Sequence, residues 1–183
     1  EGFAGTQPRA WDNMFLMGEE PDYEPTSDTT VAAIAVREGR DPAEVALDHM
    51  LSNGGRGMLY LPFLNYARHT LDPAHAMLSH PHCVPGLSDG GAHVGMICDG
   101  SFPTFNITHW TRDRTRGAKL PLERMVKAQT RDTAETVGLF DRGLIAPGYR
   151  ADLNVIDYDR LKLRPPEVAY DLPAGGRRLL QRA

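Results

Sequence analysis

The sequence has few cysteines, no long apolar run and no excess of positive charge. Its two cysteines, Cys83 and Cys98, are too few for a disulfide scaffold. They are expected as reduced, partly buried thiols of a cytoplasmic protein, with a bridge between them as the alternative. The longest apolar runs fall far short of the roughly 18 to 20 residues that a membrane span requires. The stretch from Glu1 lacks the basic, apolar and small-residue order of a signal peptide, so no membrane anchor is expected. Acidic residues number 24 against 20 basic ones, a formal net charge of -4. That balance argues against a nucleic-acid partner, which demands clustered Lys and Arg to displace phosphate counterions. The local exceptions, Arg112, Arg114 and Arg116 and the Arg177-Arg178 pair, are interrupted or too short to form a polybasic arm.

What is present suits a folded domain. The 183 residues are 41% apolar, enough to bury a core, and 18 glycines with 14 prolines promise frequent turns without a disordered composition. The chain starts at Glu1 rather than Met and stops at Arg182-Ala183 without a closing element, as expected of a piece of something longer.

Residues 1–28 show neither helical nor alternating periodicity and are expected as a loop-rich leading segment. From Thr29 the spacing of Val31, Ile34 and Ala35 predicts a short amphipathic helix, stopped by Gly39. Asp41 as cap, Pro42 in the first turn and Glu44 predict a second helix to about Asn53, ended by Gly54-Gly55. Met58 to Phe63 reads as a strand buried on both faces, with Pro62 ending its pairing. Asp72-Pro73 opens another helix, and Cys83 to Ser88 reads as a second strand. Strand, helix and strand in about 30 residues is the length of a βαβ unit, which implies a parallel pair and an α/β fold. A helix is expected from Pro121, one more turn from Asp132 to near Gly138, and a strand from Leu153 to Tyr158. A boundary is expected near residue 143.

In α/β architectures reactive groups gather at the carboxyl ends of parallel strands. Asp89 stands at such an end, followed by Gly90, Gly91 and His93. A carboxylate there can ligate a metal and take a proton from metal-bound water, and the alternative is that Asp89 simply caps an Asp-Gly turn. The pair His80-Pro81-His82 precedes its strand, at the opposite end, and is expected as surface histidines.

The stretch Gly86-Leu87-Ser88-Asp89-Gly90-Gly91-Ala92-His93 resembles the last-strand signature of the amidohydrolase superfamily, in particular the branch of N-acyl-D-amino-acid deacylases (D-aminoacylases). Asp141-Arg142-Gly143-Leu144-Ile145-Ala146-Pro147-Gly148-Tyr149-Arg150-Ala151-Asp152-Leu153 resembles the segment where such enzymes leave the barrel for their small β domain. Leu120-Pro121-Leu122-Glu123 is similar to the start of the post-barrel helix, and Tyr170-Asp171-Leu172-Pro173-Ala174-Gly175-Gly176 also looks like this branch. The order of these motifs is more specific than any one of them.

The resemblance implies the C-terminal part of a metal-dependent (β/α)8 TIM-barrel hydrolase, residues 29–142, and a linker with the start of a small β-sandwich domain, residues 143–183. It implies a zinc-type enzyme acting on linear amides or related C-N bonds of a small N-acyl substrate. Asp89 would be both a metal ligand and the catalytic proton carrier. His93 is a candidate substrate contact. The deacylases carry arginines for the substrate carboxylate in the loop after the aspartate, whereas Met96 to Phe105 holds none and Thr104 stands in the matching place. Arg112 or Arg114 could replace them, and the alternative for that cluster is a solvated helix face. The remaining metal ligands of the family come from strands that would precede Glu1. The competing expectation is therefore a folded but non-catalytic association module, which pairs with the missing N-terminal part of the barrel or with itself through unpaired strand edges.

Overall fold

A computed structural model describes residues 10–86 and 93–183 of the chain. They form a mixed α/β structure with two compact units, Glu1–Pro73 and Ala74–Ala183. Both sheets among the described residues are two-stranded and antiparallel.

In the first unit, β1 (Phe15–Met17) pairs with β2 (Met58–Tyr60), setting Phe15 opposite Tyr60 and Met17 opposite Met58. Thr30 lies in extended backbone and its hydroxyl accepts from the Ala33 N–H, capping α1 (Val31–Glu38). Gly39, at φ 64°, ends that helix in the left-handed conformation that a side chain would resist, as its place in the sequence predicts. Asp41 caps α2 (Pro42–Gly55) by accepting from Ala43 N–H at 2.7 Å. The regular helix breaks at Ser52, and Asn53 and Gly54 turn left-handed, again where the sequence predicts a stop. Val31, Ala35, Val45 and Ala46 pack together as a buried core, with Trp11, Met14, Leu16, Ile34 and Leu59 around it.

One expectation changes here, the pairing of β2. The loop-rich leading segment also contributes a strand, Phe15 to Met17. Three apolar residues are too short a run to show a period, and their partner lies more than forty positions downstream. Met58 does begin a strand and Pro62 lies beyond its end, but β2 pairs antiparallel with β1 rather than parallel across a helix. Of the expected second strand, residues 83–86 carry no ladder, and Leu87 and Ser88 lie outside the described residues.

The second unit holds most of α3 (Asp72–Ser79), then α4 (Phe102–Thr108), α5 (Leu122–Lys127), α6 (Thr133–Thr136) and a C-terminal hairpin. In the hairpin, β3 (Glu167–Leu172) pairs with β4 (Gly176–Leu180), with an irregularity between Ala169 and Leu172 where the turn closes. The buried apolar residues are Trp110, Leu120, Met125 and Ala134. The helices expected from Pro121 and from Asp132 are present, joined by a π-helical turn over Ala128–Asp132. Gly143, at φ 82°, passes so close to α5's downstream turn that a Cβ would stand 2.7 Å from the Arg131 Cα. Here the Asp-Arg-Gly motif needs glycine for both space and backbone angle.

The strand expected over Leu153 to Tyr158 does not form. Those residues carry no ladder, and Val155 is fully exposed. A β-propensity run becomes a strand only where another strand pairs with its backbone, and none of the described strands pairs with these residues.

Candidate active site

Asp89 lies outside the described residues, so its geometry does not enter. The chain that follows it is described from His93. This residue is exposed and adopts φ 48°, a conformation uncommon for a residue with a side chain, though histidine visits it more than most. Its carbonyl accepts from Met96 N–H at 2.8 Å and Ile97 N–H at 3.0 Å, closing a tight turn. The half-buried Cys98 follows. Burial, and then the neighbouring Asp99, push its thiol above the ordinary value, so it stays protonated near neutrality. Cys83 and Cys98 are both free thiols, and Cys98 is partly buried as expected, whereas Cys83 is exposed.

Pro103 sits in the first turn of α4, where its missing N–H costs nothing. After Thr108 the helix widens into a π-helical turn, His109–Asp113. That extra residue per turn carries Trp110 inward, to 2% exposure, and leaves Arg112 near the surface. Trp110 becomes the centre of an aromatic and basic cluster. The Arg114 guanidinium lies 5.0 Å from its ring centroid and donates to the Ala118 carbonyl at 2.9 Å. The His109 ring stacks on Phe105 at 4.5 Å, and the His75 ring approaches Trp110 at 6.0 Å. The Nε2 atom of His75 is buried without a hydrogen-bond partner among the described residues.

Arg112 is committed to the protein itself. Its guanidinium pairs with Asp113 at 2.6 Å, donates to the Tyr158 carbonyl and, at 2.6 Å, to the Leu161 carbonyl, and lies 5.3 Å from the Tyr158 ring centroid. The Tyr158 hydroxyl in turn meets Thr111 Oγ1 at 2.7 Å. Donation to the Asp113 carboxylate raises the Arg112 value above its ordinary one, so the guanidinium stays charged. This arrangement is a clamp on residues 157–161 more than a free carboxylate receptor. It is also not the solvated helix face weighed as the alternative.

His80 and His82 are exposed and edge-to-face at 5.3 Å, in keeping with surface histidines. Among the described residues, no group of three or more His, Cys, Asp or Glu side chains could hold a metal ion. Tested by its described donors, the chain does not fit a complete metal centre. Sequence reasoning missed the cluster around Trp110. His75 and Trp110 stand 35 positions apart with no shared motif, and only packing unites them.

The class is thus a mixed α/β chain whose motifs flank a short turn after Asp89. A family model described as "Amidohydrolase family" matches residues 3–176, and the chain belongs to that family, which generally binds metals. Two curated relatives are the 5-methylthioadenosine/S-adenosylhomocysteine deaminases of Desulfitobacterium hafniense strains DSM 10664 / DCB-2 and Y51. Each is 33% identical over 100 residues, covering 50% of this chain and 22% of the relative. The chain therefore spans less than a quarter of the length of the curated relatives it matches. No solved structure matches it. Among the described residues, no helix is long and apolar enough to cross a membrane.

Proposed function

We propose that this chain is the C-terminal portion of a hydrolase of C-N bonds, with the deacylation of a small N-acyl amino acid as its reaction. The family match over residues 3–176, nearly the full sequence, supports the hydrolase of C-N bonds, while deacylation rests on the resemblance of the motifs from Gly86 to His93 and Asp141 to Leu153. In this proposal residues 29–142 close a (β/α)8 barrel and residues 143–183 lead into a small β domain. The leading segment, 1–28, feeds the barrel. Zinc is the metal proposed for the complete cytoplasmic enzyme, and its other ligands come from the N-terminal part that completes the barrel.

Asp89 is the proposed catalytic residue and a metal ligand. Hydrolysis of an amide requires a proton to leave the attacking water and another to reach the nitrogen, because an amide anion is too basic to depart. A single carboxylate beside the scissile bond performs both transfers in turn, a role worth roughly 100- to 10,000-fold in rate. His93 is the proposed substrate contact, since it is exposed and stands four positions after Asp89 in the sequence. Arg112 remains proposed for the substrate carboxylate, but its engagement with Asp113, Tyr158 and Leu161 makes positioning the better-supported role.

A second reading, deamination, is favoured by the printed name of the two relatives. Both reactions break a C-N bond with water, and they differ in the group released. The complete protein, offered N-acyl-D- and N-acyl-L-amino acids and 5'-methylthioadenosine, should release a carboxylic acid and free amino acid from one of the first two. Ammonia from the nucleoside alone would replace deacylation by deamination. In either case Asp89→Asn should lower kcat at least 100-fold with unchanged circular dichroism. Undiminished turnover in that variant would falsify the assignment of Asp89.

A further inference from the structure

The C-terminal hairpin reaches back to the chain that follows Asp89. Leu179, opposite Val168 in the β3–β4 register, spends its N–H outside the hairpin, on the Val94 carbonyl at 2.6 Å. Two residues further along, Gln181 makes a second tie. Its Oε1 accepts from Ser101 Oγ at 2.6 Å, and its Nε2 donates to the Arg164 carbonyl at 2.7 Å. Arg164 N–H donates to the Arg182 carbonyl at 2.9 Å, which holds the end of the chain beside the hairpin's first strand. The two ties grip the segment 94–101 at both ends. Between them lies the turn closed by Met96 and Ile97 on the carbonyl of His93.

His93 is exposed and sits at φ 48°, a backbone state that costs energy for a non-glycine residue and persists where surrounding contacts enforce it. Gly95, Met96, Asp99 and Gly100 are exposed as well, so packing contributes little. β4 and Gln181 add directional hydrogen bonds to this segment from a distant part of the chain.

We infer that the β3–β4 hairpin is a brace for the loop that bears His93, with Gln181 as a positioning residue acting through Ser101. The inference rests on the proposed hydrolase only in giving His93 a substrate to touch; the brace itself is a statement about the hairpin and the turn. Gln181 touches no substrate. Its loss changes how well the turn is presented, and so moves KM more than kcat.

The test uses the complete protein with Gln181→Leu, Ser101→Ala, the double variant and Gln181→Glu, the last keeping an acceptor for the Ser101 hydroxyl. Amide exchange over 93–101, read by mass spectrometry, should rise about five- to tenfold in Gln181→Leu. KM should rise by a similar factor, with kcat within twofold and the melting temperature nearly unchanged. The double variant should be no worse than the worse single one, since both remove the same bond, and Gln181→Glu should recover most of the loss. Unchanged exchange in Gln181→Leu overturns the brace whatever the kinetics. Faster exchange with unaltered KM overturns the positioning role and leaves a purely structural tie. A wild-type protein that hydrolyses none of the C-N substrates removes the functional reading, while the exchange result still decides the brace.

Discussion

The core around α1 and α2 and the stretch from residue 139 to 158 have similarly apolar sequences and opposite fates. Val31, Ala35, Val45 and Ala46 are buried, whereas Phe140 is 71%, Ile145 85% and Val155 fully exposed. The difference lies in where each segment's backbone partners are. A helix satisfies its own N–H and C=O groups, so Thr30 and Asp41 can cap it and its apolar stripe needs only one neighbour to cover it. A strand depends on a neighbouring strand for its backbone ladder, and none of the described residues pairs with 153–158 in that way.

Three variants would break or sharpen that contrast. The largest effect is expected at Phe15, 2% exposed and ringed by Tyr60, Tyr66 and His69. Phe15→Ala should cost about 3–5 kcal/mol in denaturant unfolding, and a loss below 1 kcal/mol would mean that the aromatic cluster beside the α1–α2 core does not stabilise it. Next comes Arg112→Ala, which frees the far end of the exposed stretch from its tie at Tyr158 and Leu161. Loss of its charge-assisted bonds should cost about 1.5–3 kcal/mol. A collapse of kcat/KM without that destabilisation would instead restore Arg112 as a substrate contact. Smallest is Val155→Ser, expected to move stability of the 183-residue chain by less than about 0.5 kcal/mol. A cost above 2 kcal/mol there would show that the stretch is buried after all, most simply by association of chains.

The same physics explains which parts were legible in the sequence. Caps and stops were read correctly at Asp41, Gly39 and Gly54 because they act on residues within a few positions of themselves. The strand at Phe15 went unread because its partner is distant, and the parallel pairing expected of β2 gave way to an antiparallel one for the same reason. In the candidate site, His93 was found through its neighbourhood to Asp89, and its strained turn is visible only in the backbone angle. Arg112 was singled out as a cation, but a one-dimensional string could not show that Tyr158 and Leu161 occupy it. Neither could it show His75 meeting Trp110, since a π-helical turn decides which face Trp110 presents.

By itself the sequence determined the membership in a family, the caps and stops of α1 and α2 and the candidate acid at position 89, because motifs and caps are local facts. Tertiary structure alone decided strand partners, the clamp at Arg112, the cluster at Trp110 and the reach of Gln181 to Ser101. Those depend on hydrogen bonds and packing between residues far apart in the chain, and such pairings carry no signature at either position alone.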